Sequence, residues 1–92
     1  MLFQSNYTIV GVDRSAAQAK KLMALFAERG KSPGEIAHYA RADGRGGTVI
    51  SENADVGELH DVALAYSEYM EIEIIPVLTI DDAVPALLKY SS

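Results

Sequence analysis

The chain contains no cysteine and no tryptophan among its 92 residues. Without thiols it has no disulfide, no thiolate nucleophile and no thiolate metal site, so we expect a reducing, cytoplasmic location. No apolar run approaches the roughly 20 residues that cross a bilayer, and we expect neither a secretory leader nor a membrane partner. These absences predict a soluble single domain over residues 1–92.

Basic residues are scarce in the second half of the chain. The net charge of −5 disfavours attraction to nucleic acids and anionic lipids. Residues 47–92 carry one basic side chain against nine acidic ones, whereas residues 1–46 carry seven basic against four acidic. We interpret this asymmetry as basic and acidic surfaces lying side by side on one fold; a complementary partner surface is the alternative.

The hydropathy pattern predicts four strands, two helices between them and a tail helix. The predicted strands cover residues 2–10, 36–43, 48–52 and 71–80. The predicted helices begin after caps at Ser15 and Asp55, and a glycine at position 30 ends the first of them. Their apolar stripes, spaced by three or four residues, contain Ala19, Leu22, Met23 and Phe26, and Val56, Leu59, Ala63, Tyr66 and Met70.

The tail is predicted as a short C-terminal helix capped by Asp81 and Asp82. Pro85 is tolerated there if it falls within or just after the first turn. The glycine-rich segment 43–47 joins two strands and is predicted as a hairpin turn. It does not open a helix, so it lacks the helix dipole that supports a phosphate site.

The order β-α-β-β-α-β predicts an α+β, ferredoxin-like fold with a four-stranded antiparallel sheet in the order 4-1-3-2. The last strand is an edge strand in that order. Pro76 favours the same position because it has no N–H for a central ladder. Apolar residues occupy both faces of this strand, so we predict a homodimer with Ile75, Pro76 and Val77 in its interface.

Three segments carry a resemblance to a known family, namely residues 43–47, 63–68 and 71–77. They resemble a glycine-rich hairpin, an aromatic-Ser-acid run late in the second helix and a Pro-Val in the last strand. These features are typical of an uncharacterised bacterial domain-of-unknown-function family whose members have about this length. Many members have a tryptophan and a histidine in the second strand, where this chain has His38-Tyr39-Ala40 and no tryptophan.

More broadly, the element order resembles the dimeric α/β-barrel superfamily. The resemblance implies two ferredoxin-like chains that pack their sheets face to face. Members of that superfamily include small monooxygenases and isomerases, so the likeness is compatible with several functions and selects none of them.

Candidate functional residues gather around His38. A histidine here is a candidate general base, and we expect it to line a cleft between sheet and helices with Tyr7 and Glu73. The favoured interpretation is a homodimeric module that binds a small ligand or a protein partner without catalysis. The alternative is a small cofactor-independent oxygenase, isomerase or lyase that uses His38 with Tyr7 or Tyr39; such an enzyme needs a cleft where His38 and a tyrosine converge.

Other chemistries find weaker support in the sequence. His60 on the second helix is compatible with a haem ligand, but we interpret it as a boundary residue. The acidic pairs are better explained as helix caps than as metal ligands, so we expect no metal and no cofactor. The third strand has no aromatic residue on which an RNA base could stack, so we expect no nucleic-acid partner.

Overall fold

The computed structural model describes residues 1–10 and 16–91, with the side chain of Ala16 left out. The predicted cap Ser15 and the predicted turn at 11–14 lie outside the described residues. The elements are β1 (Leu2–Ile9), α1 (Ala16–Arg29), β2 (Glu35–Ala40), β3 (Gly46–Glu52), α2 (Val56–Ala65), β4 (Met70–Val77) and α3 (Ile80–Ser91).

The four strands form one antiparallel sheet in the order β2-β3-β1-β4. This confirms the predicted ferredoxin-like arrangement, because the same order read from the other edge is 4-1-3-2. β1 lies in the centre and pairs with both β3 and β4 along its length. β4 is an edge strand, as Pro76 predicts, and Pro76 lies opposite Phe3.

The two crossover helices, α1 and α2, cover one face of the sheet. Phe3, Tyr7 and Ile9 alternate toward this face, as predicted; Phe3 is buried and the other two pack on the core. The core cluster is formed by Leu22, Tyr66 and Met70.

The opposite face of the sheet, which we call the open face, is partly polar. Asn6 lies at its centre, and its Oδ1 accepts hydrogen bonds from Gln4 Nε2 at 3.0 Å and Thr48 Oγ1 at 2.9 Å. None of the described helices packs against this face. None of the described helices is long and apolar enough to span a membrane.

Helix α2 begins where it was predicted to begin and ends earlier than predicted. Asp55 is the N-cap, and its Oδ1 accepts a hydrogen bond from the Gly57 amide at 2.8 Å. The helix ends at Ala65, and Met70 is the first residue of β4, so its assignment to the helical stripe is wrong. Met70 is nevertheless buried, because the turn after the helix returns the chain to the core opposite Ile9. Val56, also assigned to the inward stripe, is 63% exposed.

Strand β2 is shorter than predicted and contains an irregularity. Its pairing with β3 shifts between Glu35 and Ala37, so that Glu35 lies opposite Ser51 while His38 lies opposite Val49. Three steps along β2 therefore match two steps along β3, which is the signature of a β-bulge at Ile36. The predicted hairpin after β2 is confirmed, with Gly44 at a φ of 74°.

Helix α3 begins earlier than the tail helix that was predicted. Thr79 caps it, because its Oγ1 accepts a hydrogen bond from the Asp82 amide at 3.1 Å; the predicted caps Asp81 and Asp82 are instead inside the first turn. Pro85 is the sixth residue of this helix, beyond its first turn. No described residue of α3 is buried, and Leu87 and Leu88 are 61% and 64% exposed.

Candidate functional site

A cleft of about 410 Å³ lies between the sheet and helices α1 and α2. It exists because small side chains, Ser5 and Val49, occupy the middle of the sheet below it, where larger ones would fill the space. Its walls are mainly apolar and include Phe26, Leu59, Val62, Tyr66, Met70, Ile72 and Ile74. The rings of Phe26 and Tyr66 meet above it with their centroids 5.2 Å apart.

Tyr7 and His38 converge at one end of the cleft. The Tyr7 hydroxyl and His38 Nε2 are 2.7 Å apart, a short hydrogen bond. The two rings also meet edge to face, with centroids 5.6 Å apart. Gly47 makes room for this pair: it is buried opposite Tyr7, and a Cβ at this position would overlap the Tyr7 hydroxyl.

Glu35 is the third member of this polar end. Its Oε1 lies 3.9 Å from His38 Nδ1, at ion-pair distance, and its side chain is only 13% exposed. The same oxygen accepts a long hydrogen bond, 3.4 Å, from the Ser32 amide. Among the described basic side chains, His38 is the only one with an ion-pairing atom within 4 Å of this carboxylate.

Glu35 was not among the predicted site residues. In a regular strand, residues three apart point to opposite faces of the sheet, so alternation separates Glu35 from His38. The bulge at Ile36 adds one residue and brings both side chains to the cleft. The only signal in the sequence is an acidic residue three positions before a histidine, which is common in chains that have no such site.

The environment changes the acidity of Tyr7. Burial raises the pKa of the Tyr7 hydroxyl above 10.0, and the negative charge of Glu35 raises it further. Tyr7 is therefore a neutral phenol at physiological pH. It offers one proton and two lone pairs at the polar end of the cleft.

Two other predicted site residues lie away from the cleft. Tyr39 lies opposite Thr48 on the open face and is 65% exposed. Glu73 lies opposite Asn6, also on the open face. The structure therefore brings together Tyr7 and His38 but neither Tyr39 nor Glu73, and Glu35 is the carboxylate at the position where Glu73 was expected.

The remaining predicted residues lie at the edge of the sheet and on α2. Ile75, Pro76 and Val77 end the edge strand β4, and Ile75 is 37% exposed. His60 is exposed on α2. Within residues 1–10 and 16–91, no three His, Asp or Glu side chains come together as metal ligands.

A second hollow of about 430 Å³ adjoins the cleft at the C-terminal end of α1. It shares residues 30–32 with the cleft and is lined by more charged groups. Arg29 and Asp61 form an ion pair of 2.8 Å that links α1 to α2 at this point. We refer to this region as the mouth of the cleft.

Comparison with known proteins identifies the family. The sequence model of a domain of unknown function, DUF3303, matches residues 1–91. The chain belongs to the DUF3303 family. This confirms the resemblance drawn from the hairpin, the second helix and the last strand. A search of curated proteins finds no match.

Family membership assigns no activity to a DUF3303 chain, so its chemistry must be argued from the cleft. The cleft can hold a small apolar body and present three hydrogen-bonding groups at one end of it. These groups are the carboxylate of Glu35, the imidazole of His38 and the phenol of Tyr7, which contact one another in that order. They are able to orient a polar group of a ligand or to accept a proton from it.

Proposed function

We propose that this protein binds a small, mainly apolar molecule in the cleft, with one polar group of the ligand directed at Tyr7 and His38. The observation that carries the proposal is the convergence of these two side chains in a cavity of about 410 Å³. Small-molecule sites have volumes of about 300–1,000 Å³ with apolar walls and a few polar groups that fix orientation. The cleft meets both criteria.

A pair of leucine substitutions on one strand tests this proposal. Ser5 lies in the floor of the cleft, and Ser5→Leu places a larger side chain in the ligand volume. Gln4→Leu is the matched control, because it adds a similar side chain to the open face. A panel of small aromatic and aliphatic compounds is screened by thermal unfolding and by amide chemical shifts.

Compounds that bind in the cleft should stabilise the wild type and Gln4→Leu but not Ser5→Leu. A ligand at 100 times its Kd adds about 2.7 kcal/mol of stability, a shift that thermal unfolding readily detects. The proposal fails if no compound moves the amide resonances of cleft residues, or if Ser5→Leu binds as well as Gln4→Leu.

A second candidate function is catalysis without a cofactor, by an oxygenase, isomerase or lyase. The 2.7 Å contact between Tyr7 and His38 favours it, because an enzyme of this kind needs a base and a hydrogen-bonding partner in one cleft. His38 would accept the proton and Tyr7 would orient the substrate. An activity found by screening must fall at least about a hundredfold in His38→Gln; an activity that survives this substitution excludes the role.

We further propose that the protein is a cytoplasmic homodimer. The absence of cysteine supports the location. Ile75 and Val77 at the sheet edge, and the exposed apolar side chains of α3, support self-association because isolated monomers rarely leave such surfaces uncovered. Sedimentation velocity tests the dimer; a monomer at high concentration refutes it.

A further inference from the structure

We propose that Glu35, His38 and Tyr7 form a proton relay and that the ligand of the cleft is a neutral molecule with a weakly acidic hydroxyl, bound through the Tyr7 oxygen. Glu35 is a positioning residue in this relay, because it acts on the ligand only through His38. The inference rests on the proposed binding function and specifies the class of ligand.

The first step of the argument concerns the tautomer of His38. Glu35 Oε1 lies 3.9 Å from Nδ1, too far for a direct hydrogen bond but close enough for its charge to favour a proton on that nitrogen. A neutral imidazole with its proton on Nδ1 has a lone pair on Nε2. Nε2 is the atom that meets the Tyr7 hydroxyl at 2.7 Å. The Tyr7 hydroxyl therefore donates a hydrogen bond to His38 Nε2.

The second step concerns what Tyr7 then offers to a ligand. A hydroxyl whose O–H already donates a hydrogen bond still has two lone pairs that accept hydrogen bonds. The free side of the Tyr7 oxygen thus favours a hydrogen-bond donor. Because the donor and acceptor roles of Tyr7 and His38 are already set by Glu35, a ligand that only accepts hydrogen bonds finds no donor at this atom.

The third step is the proton transfer that the relay permits. The ligand O–H bond breaks and its proton joins the Tyr7 oxygen, while the original Tyr7 proton moves to His38 Nε2. The products are a bound oxyanion, a neutral Tyr7 and an imidazolium that carries protons on both nitrogens. The Glu35 carboxylate stabilises the imidazolium charge, and atoms and charge balance without any further reactant.

The charges around the relay select a neutral ligand over an anion. Lys31 at the mouth and the phenol of Tyr66 are the other titratable side chains that line the cleft, while the lining residues of α1, β3 and β4 are apolar. Glu35 lies inside the cleft and disfavours a second carboxylate there. A hydroxyl enters without charge and becomes negative only as His38 becomes positive.

Nitrogen NMR of the ligand-free protein tests the first step directly. The two imidazole nitrogens have distinct ¹⁵N shifts for each tautomer. We expect the neutral form of His38 to carry its proton on Nδ1 in the wild type and to shift toward the Nε2 tautomer in Glu35→Gln. Glu35→Met is a second variant without any hydrogen-bonding group. Glu73→Gln, on the open face, is the matched control, and the exposed His60 is an internal reference. A proton on Nε2 in wild-type His38 overturns the proposal.

Ligand binding tests the second and third steps with three matched probes. They are 4-nitrophenol, its methyl ether 4-nitroanisole and 4-nitrobenzoate, and the phenolate form of the first is visible by its absorbance. We expect 4-nitrophenol to bind about tenfold more tightly than either of the others, the difference that one hydrogen bond provides. We also expect a larger phenolate fraction when it is bound than in free solution at the same pH. Glu35→Gln should lose both effects and Glu73→Gln should keep them.

The outcomes separate this inference from the binding function on which it rests. If 4-nitroanisole binds as tightly as 4-nitrophenol and both move cleft resonances, the binding function stands and the relay is wrong. If Glu35→Gln retains the preference and the phenolate fraction, Glu35 has no positioning role. If no probe moves a cleft resonance at its solubility limit, the relay proposal is wrong, and the binding function is decided separately by the wider panel of aromatic and aliphatic compounds.

Discussion

Substituting Gly47 by alanine should disrupt the polar end of the cleft from within the sheet. Gly47 is buried in β3 opposite Tyr7. A Cβ at this position would overlap the Tyr7 hydroxyl, lie 2.7 Å from Tyr7 Cζ and lie 2.5 Å from the carbonyl oxygen of Tyr39. The sheet restrains the Tyr39 carbonyl, so relieving that overlap requires a costly shift of the strand, and the ring of Tyr7 also has to move, which breaks its contact with His38.

The expected magnitude follows from three contributions. Overpacking a buried site costs about 1–3 kcal/mol, and losing the hydrogen bond costs about 1 kcal/mol. Replacing glycine in a strand returns about 0.5–1 kcal/mol of backbone entropy. Gly47→Ala should therefore lower the free energy of unfolding by roughly 1–3 kcal/mol, which corresponds to a fall in Tm of roughly 5–20 °C for a domain of this size.

Urea unfolding followed by circular dichroism measures this loss, and Gly57→Ala is the matched control. A Cβ at Gly57 would lie 3.3 Å from Oδ1 of the N-cap Asp55, a tight contact with an exposed side chain that is able to shift, so this variant should stay within about 1 kcal/mol of the wild type. In the double variant Gly47→Ala/Tyr7→Phe, part of the overlap disappears. Its loss in free energy of unfolding should therefore be smaller than the sum of the losses in the two single variants. Wild-type stability for Gly47→Ala, or strict additivity in the double variant, would refute the proposed packing of Tyr7 against Gly47.

Four further predictions address pH dependence, capping, the core and assembly. Burial raises the pKa of both Tyr7 and Tyr66 above 10.0, so the unfolded chain loses these protons first and the urea midpoint should fall as the pH rises through 10; a midpoint that rises there contradicts the assignment. Asp55→Ala removes an N-cap and should cost about 1 kcal/mol in urea unfolding, whereas an unchanged midpoint would show that the cap is dispensable. The buried hydroxyl of Ser51 has no hydrogen-bond partner among the described residues, so Ser51→Ala should leave stability unchanged or raise it by about 1 kcal/mol, and a marked loss would reveal a partner. Ile75→Lys should convert the proposed dimer to a folded monomer in sedimentation velocity and circular dichroism; a persistent dimer places the interface elsewhere.

The topology was predictable because its signals are local and agree with one another. Alternation places Phe3, Tyr7 and Ile9 on one face of β1, and the structure confirms this. Pro76 and the order of the elements independently favour an edge position for the last strand. Such agreement between local propensity and global topology is what makes a fold readable from sequence.

The site was only half predictable because a bulge breaks the alternation on which the prediction depends. Tyr7 and His38 were predicted and meet in the cleft. Glu73 was predicted to join them. Ile72 lines the cleft, and alternation along β4 places its neighbour Glu73 on the other face of the sheet. Glu35 was missed because a bulge is a property of how two strands pair, and one strand read alone does not show it.

Element ends were the least predictable feature. The apolar spacing of α2 continues smoothly into Met70, but the helix stops at Ala65 because the chain must turn back to reach the sheet. At the start of α3, Thr79 is the cap, although Asp81 and Asp82 were predicted to cap the helix. Side-chain chemistry alone does not rank three capping residues that lie within four positions of each other.

The cleft has one rigid side and one compliant side. Its floor is four hydrogen-bonded strands, whereas α1 is attached above it chiefly through Leu22, Phe26 and the ion pair of Arg29 with Asp61. Leu22 is the one buried residue among residues 17–29 of α1, so we expect this helix to open at lower free energy than the sheet does. If the cleft binds the ligand proposed above, a small outward displacement of α1 would admit longer ligands, while the contact between Tyr7 and His38 in the sheet would stay unchanged. Related chains could diverge in what they accept by altering α1 alone.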